Sequence, residues 1–188
     1  QKILKQFKKK QYQSVCITYE STPNQQLNPT IRYIVAISYA FIQSYKTALN
    51  IMLQIKKHHH QCPDYYLYLA YIMLRNANFK QCDYYLKKTS INKNNRLYYE
   101  TKVELYLYLF KLKGAQYYIN QAVKKNVISV DLLINQAVIL SCKNKNKMAE
   151  TLLLQCLKHQ PTNIIIYNNL IGVYQNVNKK RAEKTLLT

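Results

Sequence analysis

A compact side chain followed four residues later by a large apolar one recurs along this chain at an almost constant interval. The pairs are Ala48 with Met52, Cys82 with Leu86, Ala115 with Ile119, Ala149 with Leu153 and Ala182 with Leu186. Successive copies are 34, 33, 34 and 33 residues apart. Seven residues after the compact position stands a further modest side chain in four copies: Ile55, Thr89, Ala122 and Cys156. Offsets of 0, 4 and 7 lie on one face of an α-helix, so each copy predicts a helix with one buried face. A compact residue is needed there because helices whose axes lie about 8–10 Å apart must yield where the backbones approach.

A second helix precedes each of these, with apolar positions again offset by three and four. Its copies are Arg32, Val35, Ala36 and Tyr39; Tyr66, Leu69, Ala70 and Met73; Tyr99, Val103 and Tyr106; Leu133, Ala137 and Leu140; and, shifted by one residue, Tyr167, Leu170, Ile171 and Tyr174. Each unit therefore reads as helix, turn, helix. Asn28-Pro29, Cys62-Pro63-Asp64 and Gln160-Pro161-Thr162-Asn163 fall between units, where a new helix can start with proline near its first turn. With two glycines and four prolines in 188 residues, the tight turns of an all-β sandwich or barrel can form at few places, so the chain is expected to be all-α.

This pattern resembles the tetratricopeptide repeat (TPR), whose unit of about 34 residues carries an aromatic and a small residue in its first helix and Ala, a large apolar residue and Ala in its second. The copy at 130–163 follows it best, through Met148-Ala149-Glu150, Leu153, Cys156-Leu157 and Pro161; the copy at 96–129 departs from it with Lys102 where Leu is usual. The resemblance implies a right-handed superhelix of stacked antiparallel helix pairs, an α-solenoid. Its expected divisions are 1–27, the second helix of a truncated repeat plus a loop; repeats at 28–62, 63–95, 96–129 and 130–163; and a partial repeat at 164–188, with a turn at Lys179-Lys180-Arg181. All of these are expected to form one solenoid. The chain begins with Gln and stops inside a helical pattern, so both ends are expected to continue.

In that family the first helices line a concave binding face. The register places there Tyr33, Ile37 and Phe41; Asp64, Leu67 and Tyr71; Leu97, Glu100, Glu104 and Tyr108; Asp131, Ile134 and Val138; and Asn168. Such a face, aromatic, apolar and mildly acidic, suits a helix or extended peptide of another protein. The subset of the family that clamps acidic peptide ends uses Lys, Arg and Asn at first-helix positions held here by Tyr33, Ile37, Tyr68 and Thr101, which opposes that mode. The function implied is a scaffold or assembly subunit of a multiprotein complex.

The formal charge is +20, from 28 Lys and Arg against 8 Asp and Glu. Lysines gather near the ends of second helices, at Lys56-Lys57, Lys87-Lys88, Lys124-Lys125 and Lys158, forming a basic edge. Cations there complement the helix dipole and aid solubility; they would also suit an acidic protein or RNA. The segment 165–174 resembles the opening of a pentatricopeptide repeat, an RNA-reading relative, and makes an RNA-binding subunit the alternative. Against it, the base-addressing places in earlier units hold Tyr33, Leu67 and Ile134.

Little in the sequence points to chemistry. Consecutive His58-His59-His60 with Cys62 splay around a helix end, whereas structural zinc sites use spaced pairs. Glu100 and Glu104 share a helix face but no histidine joins them, and no glycine-rich phosphate loop is present. Neither enzyme activity, metal nor cofactor is expected. Cys82 and Cys156 read as core. Five cysteines without a C-x-x-C pair suggest an intracellular reducing compartment, the cytoplasm or an organelle assembly, and no apolar run approaches the roughly 18 residues of a membrane span.

Overall fold

The computed structural model describes residues 2–22, 27–89 and 95–186, with side chains as far as residue 178. Among the described residues every regular element is a helix. They gather into two compact units. The first holds α1 (Lys2–Lys8), α2 (Tyr12–Glu20), α3 (Pro29–Phe41), α4 (Tyr45–Gln54), a 3-10 helix (Lys56–Gln61), α5 (Tyr65–Arg75) and α6 (Phe79–Lys88). The second holds α7 (Arg96–Tyr108), α8 (Leu112–Lys124), α9 (Val130–Cys142), α10 (Asn146–His159) and α11 (Ile164–Leu186). Within the units α3 packs on α4, α5 on α6, α7 on α8 and α9 on α10.

Caps explain where many helices begin. The side chains of Asn28, Asn78, Asn95, Ser129 and Asn163 accept hydrogen bonds from the backbone N–H of Thr30, Gln81, Leu97, Leu132 and Ile165, satisfying donors that a helix start leaves open. Pro29 occupies the first position of α3, where its missing N–H costs nothing.

The turns inside the helix pairs share one conformation. Lys10, Gln43, Ala77, Phe110 and Asn144 all have left-handed backbone, with φ of 57°, 66°, 56°, 55° and 60°. Each is followed by an N–H that returns to a carbonyl five residues back: Gln11 to Gln6, Ser44 to Tyr39, Asn78 to Met73, Lys111 to Tyr106 and Lys145 to Leu140. This is the Schellman closure, which satisfies the last carbonyls of one helix while reversing the chain. The next helix starts one residue later, so its fourth residue is set by the turn. Those fourth residues are Val15, Ala48, Cys82, Ala115 and Ala149, and all have no exposed surface. Met52, Leu86, Ile119 and Leu153, four residues on, are buried in turn.

Three sequence expectations need correction. The single helix expected within 1–27 is two, α1 and α2, because the left-handed turn at Lys10 breaks it and gives this stretch the same hairpin as later units. In the last copy no shift by one residue occurs: α11 buries Ile166, Leu170 and Val173, while Tyr167, Ile171 and Tyr174 are exposed. The turn expected at Lys179-Lys180-Arg181 is absent, since α11 continues to Leu186. No Gly or Pro interrupts 173–186, and Lys, Arg, Ala and Glu all propagate a helix. The side chains of Ala182 and Leu186 lie outside those described.

The atypical copy around Lys102 is repaired locally. Lys102 is buried, with its ammonium 5.5 Å from the ring centres of both Tyr106 and Tyr118. Aromatic faces attract a desolvated cation. Tyr106 fits only because residue 114 is glycine: a Cβ there would stand 2.1 Å from a Tyr106 ring carbon. Alanine normally stabilises a helix interior over glycine by about 1 kcal/mol, but here overpacking of about 1–3 kcal/mol opposes it. Gly114→Ala is therefore expected to lower stability in denaturant titrations, and to raise it when introduced into Tyr106→Ala. A gain in the otherwise unchanged chain would refute the fit.

Candidate functional site

In the first unit the residues assigned to the binding face divide between core and surface. Tyr33, Ile37 and Leu67 are buried and offer no open surface. Tyr33 donates its hydroxyl to the carbonyl of Pro63, tying the start of α3 to the loop before α5. Removing such a ring would cost about 3–5 kcal/mol of stability, so Tyr33 acts on the fold. Phe41 is exposed and stacks on Tyr12 at 4.7 Å, with Tyr68 edge-on at 6.5 Å. Tyr71 is half-buried under the Arg75 guanidinium, 5.0 Å from its ring. Burial pushes its hydroxyl up to about 12 against the pull of that cation.

In the second unit Ile134 joins the core with Ala137, Ala149 and Leu153. Glu100 is buried, Glu104 half-buried, and Tyr108 and Asp131 are exposed. Thus Tyr33, Ile37, Leu67, Glu100 and Ile134, expected on an open face, are buried, their side chains packed into the interior rather than presented to solvent. Val138 is half-buried and lines a cavity of about 130 Å³ between α9 and α11. Ser141, Cys142, Asn168, Asn169, Gly172, Val173 and Asn176 form its walls, with Ala137 and Leu153 at its base. The Asn176 amide donates to the Ser141 hydroxyl at 3.1 Å, and that of Asn169 to the Ile165 carbonyl at 2.8 Å. The register had named Val138 and Asn168; it missed Cys142, Val173 and Asn176. A lone glycine inside a helical pattern was the available signal.

The lysines assigned to an edge, Lys56, Lys57, Lys87, Lys88, Lys124, Lys125 and Lys158, are all exposed. Two are engaged locally: Lys87 pairs with Asp83 at 2.7 Å, and Lys88 lies 4.6 Å over the Tyr84 ring. His59 and His60, with Cys62, Asp64, Tyr66 and Lys88, line a hollow of about 300 Å³. His59 Nδ1 is 3.1 Å from the Lys56 carbonyl oxygen and its ring packs against Tyr66 at 5.2 Å. Among the described residues no three His, Cys, Asp or Glu side chains are placed to share a metal ion, and no helix is long and apolar enough to cross a membrane. All five cysteines are free, and only Cys142 is exposed.

Burial pushes the Glu100 carboxyl above its ordinary range, against hydrogen bonding from Ser129 and the charge of Arg96, whose Nε lies 3.3 Å away. A raised carboxyl means that the folded chain holds this proton more tightly than the unfolded one. Stability then falls as pH rises from the unfolded value, about 4.3, through the folded one. Glu100→Gln is expected to melt at a higher temperature than the parent at neutral pH and at the same temperature near pH 4. A lower melting point at neutral pH would show that the Arg96 and Ser129 contacts outweigh burial.

No protein-family model matches the sequence, and no curated protein does. Solved structures do. A thermophilic TPR protein of Thermus thermophilus superposes with a TM-score of 0.66 over 92% of this chain and 95% of its own, at 12% identity. A tetratricopeptide repeat protein of Parabacteroides merdae gives 0.65 over 98% and 74%, at 14% identity. YrrB, described as a TPR protein with an unusual peptide-binding site, gives 0.60 over 88% and 87%, at 14% identity. With paired helices, identical left-handed turns and buried compact residues at one register, the chain has the tetratricopeptide-type helical-repeat fold.

Proposed function

We propose that this chain is a non-catalytic protein-interaction module, a scaffold or assembly subunit of a larger multiprotein complex, and that it seats a segment of another polypeptide on the first-helix face of its second unit. The observation that carries the reading is the cavity between α9 and α11, left unfilled on the face that alternate helices α7, α9 and α11 share. YrrB, which has a similar fold, has a peptide-binding site. A place in a larger assembly is supported by α11, whose Ile164, Tyr167, Ile171 and Tyr174 form an exposed row at helical spacing. Contiguous apolar surface of that kind marks interaction sites.

The reading is tested by placing a photo-cross-linking amino acid at Val138 or Asn168 and, as a control, at exposed Leu154 on α10, then irradiating native extract. A discrete adduct is expected from the first two positions, and its loss when Gly172→Leu is added. Adducts from Leu154 alone would remove the face from consideration.

An RNA-binding role keeps one favourable observation, the exposure of the lysine edge. Base reading on the first helices is opposed by the burial of Tyr33, Leu67 and Ile134. Any contact is then with phosphates, and its affinity falls steeply with salt. A single-stranded homopolymer RNA titrated at low and moderate salt is expected to bind at the first and release at the second; tight binding at both would reverse the order of the two readings.

A further inference from the structure

One row of large side chains on α11 stays open among the described residues. Ile164, Tyr167, Ile171 and Tyr174 are 69%, 44%, 53% and 44% exposed, while Ile166, Leu170 and Val173, on another side of the helix, join the core with residues of α9 and α10. The row climbs α11 in steps of 3, 4 and 3 residues, the spacing of a coiled-coil seam. It contains no compact residue of the kind a hairpin contact needs, and α11 makes no turn before Leu186 that would fold a hairpin partner back over it. The tyrosines are already prepared for burial. Tyr167 donates its hydroxyl to the Pro161 carbonyl and Tyr174 to Glu150 Oε1, both at 2.9 Å. Covering the rings therefore strands no donor, and each ring is held in place beforehand.

Charge points to what can lie on this row. No Asp, Glu, Lys or Arg occurs over the 19 residues Gln160–Asn178, the longest such run in a chain of formal charge +20. Charged residues are depleted from the cores of interfaces, and two copies of so basic a chain repel each other least where neither carries charge. Beyond the row α11 carries Lys179, Lys180, Arg181 and Lys184 against Glu183. Parallel pairing of two such helices would set these basic runs side by side. Antiparallel pairing separates them: the row has its midpoint at Asn169, and Arg181 lies 12 residues beyond it. At 1.5 Å per residue the two runs then stand about 36 Å apart along the axis, several Debye lengths at physiological salt.

Resting on the assembly part of the role proposed above and naming its partner, we infer that a second copy of this chain covers the row, α11 against α11, in an antiparallel pair about a two-fold axis level with Asn169. The order of side chains fits that direction. Read backwards, Ile-Tyr-Ile-Tyr becomes Tyr-Ile-Tyr-Ile, so Ile164 of one copy meets Tyr174 of the other and Tyr167 meets Ile171. Each broad ring faces a smaller aliphatic group, whereas parallel pairing would set tyrosine on tyrosine. The contact is self-complementary, as a two-fold interface requires. Four large side chains from each copy, each about half exposed, bury on the order of 1,000 Å² in all, the lower bound for a specific interface, so the dimer is a weak one of micromolar affinity. The α9–α11 cavity lies on a different side of α11 and stays open in the pair.

Sedimentation velocity of the full chain across micromolar concentrations tests the pair. The expected result is a monomer–dimer equilibrium that tightens as salt rises, because added ions screen the repulsion between two basic chains. Ile171→Lys places a cation in the seam at an exposed helical position; it should weaken the dimer more than about tenfold while circular dichroism shows unchanged helix content. Orientation is read by disulfide trapping. Ile164→Cys and Tyr174→Cys are made separately in a Cys142→Ser background, which removes the one exposed native thiol among the five, then mixed and oxidised. A mixed disulfide between positions 164 and 174 is expected, and none joining 164 to 164. A chain that stays monomeric at every concentration, or a dimer indifferent to Ile171→Lys, overturns the inference, and 164-to-164 disulfides overturn the antiparallel pairing. The cross-link from Val138 is a separate readout, so the peptide-binding role stands or falls independently of the dimer.

Discussion

Close approach of two helices, permitted by a compact residue four places into the second, is the contact on which the rest of the structure depends. The left-handed turn places that residue. Five non-glycine residues accept left-handed backbone, at a cost of about 1–2 kcal/mol each, because the turn closes the last carbonyls of the first helix and delivers Val15, Ala48, Cys82, Ala115 or Ala149 to the contact. A larger residue there would push the pair apart and carry the following large apolar side chain out of its socket. The interval of 33 or 34 residues in the sequence is the trace of this one device used repeatedly.

The copy with Lys102 shows how far the device tolerates local change. A cation takes a place where an aliphatic side chain is usual, and three further residues adapt to it: two tyrosines supply ring faces and Gly114 withdraws its side chain so that one ring can close. The hairpin itself is unaltered, since Phe110 keeps the left-handed turn and Ala115 the contact. Packing between helices and the identity of the residue at any one core position are thus partly separable.

In the second unit α9 touches both α7 and α11, so the first helices form a layer; it carries Glu100, Glu104 and Asp131, while Glu150 and Lys113, Lys124, Lys147 and Lys158 sit on the second helices. The cavity between α9 and α11 is lined by residues of that layer, with Leu153 of α10.

How much of this was legible in the sequence depends on the range of the interaction. The helices, the pairing and the register are carried by spacings within about 34 residues, and the positions Ala48, Cys82, Ala115 and Ala149 are where periodicity puts them. Four of the five left-handed turns were invisible, because Lys, Gln, Ala and Phe announce no turn and only Asn144 favours that backbone; hence the hairpin at Lys10 was read as one helix. Exposure was the other blind spot. A first-helix residue such as Tyr33 or Ile134 can face the groove or the neighbouring helix, and a modest rotation of the helix about its axis decides which; only the packed structure sets that angle. By itself the sequence determined an all-α repeat with compact contacts and a basic balance of charge. Tertiary structure alone decided that Glu100 is buried and that Val138 and Gly172 border a cavity, because each of these depends on side chains from different helices meeting in space.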